Sequence, residues 1–369
     1  MNIFPDENTD IKISVIVLTY NHEKFIRKTL DSILSQQTNF KFEVIVGDDA
    51  SPDSTAEIIR EYHAKYPDII VPMLHEKNLG GFGKANTLAA LAIAKGKYIA
   101  PMDGDDYWTS DQKLQKLADF LDKNPDFVAC FHNAEIIFDD DSHPNQFVNT
   151  PDQKEIVTVE DFIGEDEVWF IATSAILFRN GVITHYPQWF HESKSGDIPR
   201  YILLGKGGTK FKYINEMMSV YRKNRNSGMS FTDGYKDVDF LQNRIGMYRG
   251  IDQELDYKFH ETLNKNIARY YRMMLDSKQF TGKYFKQMPT AITYLRLAKP
   301  SRETQKEIIR EYIFPKWLSN LYSFFALLPH RIKKQLDLHR SLKIIVRHFI
   351  FKSSILTNFG TNNKSCHQK

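Results

Sequence analysis

The first hundred residues alternate short β-branched runs with segments of helical periodicity, and that alternation restricts the fold more than any other feature. Ile11 to Thr19 (IKISVIVLT) is an apolar run bounded by polar residues, the pattern of a buried strand. From His22 to Gln37, Phe25, Ile26, Leu30, Ile33 and Leu34 recur at helical spacing. Phe42 to Gly47 (FEVIVG) reads as a second strand. Ser51-Pro52-Asp53-Ser54 offers a cap and a first-turn proline for a helix to about Tyr66. Ile69 to Leu74 reads as a third strand, Lys84 to Ala94 as an Ala/Leu-rich helix, and Lys97 to Met102 as a fourth strand. Four strands separated by three helices predict a mainly parallel sheet with right-handed crossovers and helices on both faces. Such sheets bind ligands at the carboxyl ends of their strands. Three polar clusters fall there: Thr19-Tyr20-Asn21, Asp48-Asp49 and Asp103-Gly104-Asp105-Asp106.

Downstream the pattern loosens. Asp111 to Lys123 reads as a helix, Phe127 to Phe131 as a strand, and Phe138 to Gln153 as a polar loop. Phe170 to Phe178 suggests another strand, Ile198 to Leu204 a short helix, and Phe211–Ile214 and Met218–Tyr221 two edge strands. Beyond Asp233 the chain reads as helical.

Composition narrows the class. Hydrophobic residues make up 42% and charged residues 26%, which excludes a disordered or fibrous chain. Two cysteines, Cys130 and Cys366, cannot form a disulfide framework, and no Cys/His cluster suggests zinc. The N-terminus, MNIFPDENTD, does not read as a secretion signal, and no run reaches the roughly 18 apolar residues that a spanning helix needs. The expected location is therefore cytoplasmic. Charge is unevenly placed: residues 315–369 carry ten Lys/Arg against Asp337, a net +9, so the rest of a chain of net +3 is −6. Trp317–Leu328 is apolar but short. Leu342–Lys352 alternates apolar residues with Lys343, Arg347 and Lys352. Such a basic amphipathic segment suits an anionic membrane interface, placing the protein peripherally on the inner face of the cell membrane. Nucleic acid is not the expected partner, because no binding motif accompanies the charge.

In an extended segment, residues two apart point the same way, so Asp103 and Asp105 can converge on one ligand while Asp106 points elsewhere. Two converging carboxylates repel unless a cation or proton lies between them, and oxygen ligands favour Mg²⁺ or Mn²⁺ with substrate phosphates. Asp48-Asp49 suits recognition of a base or ribose, and Tyr20 offers an aromatic face for a base. Gly81-Phe82-Gly83 begins like a dinucleotide fingerprint, but Asn86 occupies the third glycine position and the run follows the third strand. Gly205–Lys210 lacks the spacing of a phosphate-binding P-loop.

Four elements occur in order: SVIVLTYN (Ser14 to Asn21), VGDDAS (Val46 to Ser51), NLG…KAN (Asn78 to Asn86) and MDGDDYW (Met102 to Trp108). Together they resemble the nucleotide-sugar domain of family 2 glycosyltransferases, which has the GT-A fold. The resemblance spans roughly residues 11 to 225. It implies a catalytic domain over 1–230; the helical pattern beyond it reads as a subdomain over 231–314, and the charge count sets off the basic segment 315–369. It implies that Asp49 contacts the base and that Leu18, Thr19, Tyr20 and Asn21 contact the nucleoside. Asn78, Lys84, Gly104 and Arg222 join the donor-binding set, Arg222 near the diphosphate or acceptor. Asp103 and Asp105 would bind ribose and metal, with Asp105 the metal ligand. Ser195-Gly196-Asp197-Ile198-Pro199 resembles the family's base site, although the usual acidic pair is here Gly196-Asp197; Asp161, Glu165 and Asp166 are rivals. Ala50 stands where glycine is commoner. The processive QxxRW signature is absent, which argues for addition of a single sugar.

The implied activity is inverting, metal-dependent transfer of a hexosyl or N-acetylhexosaminyl group. The donor would be a nucleoside-diphosphate sugar, most simply a UDP-sugar, and the acceptor a saccharide or lipid-linked hydroxyl in surface-polysaccharide assembly. A nucleotidyltransferase on a related fold and a non-catalytic nucleotide-sugar-binding protein are the alternatives. The first class usually carries a basic Gly-rich loop after the first strand, where this chain has TYNHEKF.

Overall fold

The computed structural model describes residues 10–80, 83–138, 143–163, 170–223 and 237–313. The amphipathic segment expected at 315–369, and the rival acids Glu165 and Asp166, lie outside these residues. The chain divides into two compact units. One comprises Met1–Thr281 with Thr293–Lys299, and the other Gly282–Ile292 with Pro300–Lys369. The boundary expected near 230 falls in 224–236, outside the described residues.

The first unit is built on a mixed, mainly parallel sheet. Its first strands are β1 (Ile11–Thr19), β2 (Lys41–Asp48), β3 (Ile70–Leu74) and β4 (Tyr98–Asp103). Between them run α1 (Ile26–Leu34), α2 (Thr55–Lys65) and α3 (Lys84–Ile93). Next come β5 (Tyr107–Trp108), α4 (Lys113–Lys123), β6 (Phe127–Phe138), β7 (Gln146–Phe147), β8 (Ile156–Val157), α5 (Val159–Phe162) and β9 (Ile176–Arg179). Then follow α6 (Gln188–Glu192), α7 (Asp197–Gly205), β10 (Lys210–Lys223), α8 (Val238–Glu254) and α9 (His260–Asp276). The sheet order is β3-β2-β1-β4-β9-β6-β10-β5, with β7 on β6 and β8 on β10. The long pairings β1–β2, β1–β4, β2–β3 and β6–β10 are parallel.

Strands buried on both faces read as continuous apolar runs. Ile13, Val15 and Val17 of β1 face one core with Ile26, Leu30 and Ile33 of α1, while Ile16 faces another with Phe162, Phe170 and Tyr248. Helices α8 and α9 contribute Leu241, Ile245, Tyr248 and Tyr270 to that second core.

Three expectations are corrected. The cap assigned to Ser51 does not form: α2 begins at Thr55, and the Ser51 hydroxyl bonds to Asp48 instead. Of the strand expected at Phe170–Phe178 only Ile176–Phe178 forms, as part of β9, because a 3-10 turn occupies Thr173–Ala175. The two expected edge strands are one strand, β10, held between β6 and β5. Register irregularities between Ile214 and Ser219 interrupt its apolar alternation, which is why it read as two.

In the second unit, α10 (Tyr284–Ala298), most of which lies here, carries Pro289, and α11 (Arg302–Ile308) leads into a π turn at Ile309–Ile313. Ser301 caps α11 by accepting the Thr304 N–H at 3.3 Å.

Candidate active site

Strand β1 lies between β2 and β4, and the chain crosses over in opposite directions on its two sides. A crevice therefore opens at the carboxyl ends of these strands. Register sets what meets there: Thr19 lies opposite Asp48, and Leu18 opposite Asp103. All three polar clusters anticipated from sequence converge on this edge.

The base-side corner is tied by backbone groups. Asp49 donates its N–H to the Thr19 carbonyl at 3.0 Å and accepts the Leu79 N–H on Oδ1 at 2.7 Å. Asn78 donates to the Asp49 carbonyl at 3.0 Å. Ser51 accepts the Asn21 N–H at 2.9 Å. Asn21 and Ala50 both have left-handed backbones, with φ of 60° and 57°. At Ala50 this accounts for the glycine commoner in such a turn, since a side chain there costs about 1–2 kcal/mol. Tyr20 is half exposed, with its ring free to meet a planar ligand.

The Asp103–Asp106 turn is held from two sides. Gly104 donates to the Leu18 carbonyl at 2.8 Å, and Asp106 to the Asp103 carbonyl at 3.1 Å. A Cβ on Gly104 would lie 2.8 Å from Thr19 Cβ and from His22 Nδ1, so only glycine fits the join. Asp106 is fully buried and accepts the Arg222 backbone N–H at 2.8 Å, so it does point away from its neighbours, into the fold. Burial pushes its carboxyl well above the usual range, reinforced by Asp103 and Asp105. Enclosure by the protein, then the charges of Asp105 and Asp197, pushes Asp103 up to about 7. His22 Nε2 stands 3.9 Å from Asp105 Oδ2, and burial lowers the imidazole's affinity for a proton.

Two residues take positions that sequence did not foresee. The Lys84 ammonium donates to the carbonyls of Phe190 (2.7 Å), His191 (2.9 Å) and Ser193, so it anchors the end of α6 rather than standing free in the donor-binding set. Burial lowers it to about 8. Arg222 was expected on an edge strand; it sits on interior β10, donates Nε to the Asp105 carbonyl at 3.0 Å and stacks 4.7 Å from the Phe25 ring.

Asp197 begins α7 and is about one-third exposed. Thr173 donates to its Oδ2 at 3.3 Å, and Arg200 Nη1 is 3.6 Å from Oδ1. Among its rivals, Asp161 is committed elsewhere: it accepts the Thr158 N–H at 2.8 Å in a capping box and pairs with Lys154. Strand β9 pairs with β4 only at Tyr98 and Ile99, then departs. Beyond that parting lies a cavity of about 130 Å³ bordered by Leu18, Lys84, Asp103, Thr173, Asp197 and Arg200. Thr173 and Arg200 were missed in the sequence; a lone arginine within the apolar run IPRYILL was the available signal for the second.

The described residues bring no three His, Cys, Asp or Glu side chains together as a cation cage. The neighbouring carboxylates of Asp103 and Asp105 nevertheless fit a divalent ion: Asp103, raised first by burial, is raised further by the charge of Asp105, and a cation would offset that repulsion. Mg²⁺ is commonly held by one or two carboxylates with substrate phosphates, and this donor set suits that arrangement.

Residues 14–185 match the family model described as Glycosyl transferase family 2. The uncharacterized protein Mb1547 of Mycobacterium bovis is 32% identical over 219 residues, covering 57% of this chain and 58% of the relative. The poly(ribitol-phosphate) beta-N-acetylglucosaminyltransferase TarS of Staphylococcus aureus is 40% identical over 115 residues, or 31% of this chain and 19% of TarS. Thus the chain spans well under two-thirds of the length of these relatives. Among solved structures, S. aureus TarS 1–349 has a TM-score of 0.53 at 22% identity, covering 78% of this chain and 81% of that one. Its complex with UDP-GlcNAc gives 0.51 at 21%, covering 78% and 79%. At such identity the structural match establishes the shared GT-A architecture.

Proposed function

We propose that this chain is a glycosyltransferase that moves one sugar from a UDP-sugar to a hydroxyl of a saccharide or lipid-linked acceptor, inverting the anomeric carbon. The observation that carries the reading is the convergence of Asp49, Asp103 and Asp105 at neighbouring strand ends, with Asp103 and Asp197 bordering one cavity. The match of residues 14–185 to a glycosyltransferase family and the UDP-GlcNAc complex of TarS support the same donor class.

Tyr20, Asp49 and Asn78 form the corner for the nucleoside, and Asp103 lies where a ribose hydroxyl can be met. Asp105 with Asp103 would hold Mg²⁺ or Mn²⁺. Such an ion, when bound, supplies Lewis-acid stabilisation of the leaving diphosphate. Arg222 fixes the backbone that presents Asp105. Asp197 takes the proton from the acceptor hydroxyl as its oxygen attacks the anomeric carbon and the bond to the diphosphate breaks. Its partial exposure leaves room for an acceptor. Absence of QxxRW favours a single addition, and the basic segment 315–369 suits attachment to an anionic membrane carrying the acceptor.

No described helix is long and apolar enough to cross a membrane. The decisive experiment is thermal shift and donor hydrolysis with UDP-glucose, UDP-GlcNAc, GDP-mannose and CTP, each with and without Mn²⁺. Stabilisation and slow hydrolysis of a UDP-sugar, dependent on Mn²⁺, are expected. Uptake of no sugar nucleotide under any condition would overturn the reading, and turnover of CTP would favour nucleotidyl transfer instead.

A further inference from the structure

Asp197 is presented by a short connection, residues 193–196, between α6 and α7, and two side chains from other helices hold that connection. Lys84 of α3 is 6% exposed, so its ammonium needs partners inside the protein. An ammonium has three N–H donors, and here they go to the carbonyls of Phe190 at 2.7 Å, His191 at 2.9 Å and Ser193. The last carbonyls of a helix have no partner within it and carry its negative end, so a lysine is matched to this place. Asn243 of α8 supplies the second tie: its Nδ2 donates to the Glu192 carbonyl at 2.8 Å, and its Oδ1 accepts the Lys194 N–H at 2.6 Å.

From this tie the path to Asp197 is short. The Ser193 hydroxyl donates to the Ser195 carbonyl and accepts the Ser195 N–H, both at 3.0 Å. Gly196 lies against the Lys84 stem, since a Cβ there would stand 3.6 Å from Lys84 Cγ. The Gly196 carbonyl accepts the Arg200 N–H at 3.2 Å, closing the first turn of α7 with Asp197 at its head. Lys84, Gly196 and Asp197 border one cavity. The cation thus commits its donors to backbone, and its stem touches the residue before the candidate base.

We propose that Lys84 is a positioning residue for Asp197, its ammonium fixing the end of α6 and its stem the backbone at Gly196, so that the carboxylate meets the acceptor hydroxyl. The inference rests on the glycosyl-transfer reading above and adds what sets the base in place.

Two measurements on the full chain with Mn²⁺ test it: calorimetric affinity for UDP-glucose and UDP-GlcNAc, and kcat for hydrolysis of whichever is turned over, water taking the acceptor's place. Lys84→Met should lower kcat about 10- to 100-fold, the scale for a misplaced catalytic group, while UDP-sugar affinity stays within about threefold. In an Asp197→Asn background the same change should cost less than about twofold, because the two residues act as one unit. Lys84→Arg, which keeps charge and donors, should recover part of the loss. Lys84→Gln, too short to reach all three carbonyls, should show the same split and serves if Lys84→Met misfolds. Folded Lys84 variants that keep kcat, lose affinity instead, or add their full loss to that of Asp197→Asn overturn the inference alone. Near-normal kcat in Asp197→Asn overturns the base assignment under it, and wild-type protein that cleaves neither sugar nucleotide overturns the transferase reading.

Discussion

Arg222 donates its Nε–H to the carbonyl of Asp105 at 3.0 Å, joining strand β10 to a turn 117 residues earlier in the chain. Its backbone N–H also holds the carboxylate of Asp106, and its guanidinium lies over the rings of Phe25 and Tyr107. The turn that presents the Asp103–Asp105 pair is thus braced from a strand on the far side of the sheet. Arg222→Met removes the brace but keeps much of the packing. We expect kcat/KM for the donor to fall about 10- to 100-fold, mostly through KM, as for loss of a charged hydrogen bond. Steady-state kinetics at saturating acceptor checks this.

Asp197 requires a different signature. As a positioned base it should contribute ~10²–10⁴-fold to turnover. Asp197→Asn keeps the shape and the contact with Thr173, so kcat should fall by that factor while UDP-sugar affinity, read by calorimetry, stays within about threefold. Near-normal kcat would remove Asp197 from the base role.

Gly104 shows the tightness of the β1–β4 join. Alanine would bring a methyl to within 2.8 Å of Thr19 and His22. Overpacking of this kind costs about 1–3 kcal/mol. Gly104→Ala should lower the melting temperature and weaken UDP binding together, because the same carbonyl, Leu18, anchors the turn. Parallel calorimetry and thermal melts test the coupling; unchanged UDP binding in a destabilised variant would contradict it.

Lys113 is a stability test away from the site. Its side chain is fully buried, its Nζ has no hydrogen-bond partner and sits 3.8 Å from the Trp108 ring. Burial pushes its ammonium well below the ordinary lysine value of 10.5. The unfolded chain therefore holds this proton more tightly than the folded one, and this lysine's own contribution to stability should rise with pH up to about 10.5. Lys113→Met fills similar volume without the desolvated amine. We expect stabilisation of about 1–3 kcal/mol at pH 7, shrinking as pH climbs. Denaturant melts at pH 7 and pH 9.5 decide it, and a benefit that grows with pH would contradict the sign.

The amino-acid sequence alone determined the β1–β4 half of the sheet and the position of its polar tips. Strands β1, β2 and β4 are buried on both faces along most of their length, so their apolar runs and bounding polar residues are written in consecutive positions, and Leu18–Asn21, Asp49 and Asp103–Asp105 follow directly. It also marked Asp197, through the resemblance of its short segment to a known base site. Only the tertiary structure decided what surrounds these groups. Lys84 turned to the end of α6, because those carbonyls belong to residues 106 to 109 positions later. β10 became an interior strand, since its partner β6 lies about 80 positions earlier and its bulges break the alternation that would have announced it. Arg200 came to border the cavity because β9 leaves β4 after Ile99, a departure fixed by packing and the turn at Thr173. Periodicity reports contacts between near neighbours in the chain; these contacts join residues remote in it, and only burial in three dimensions selects them.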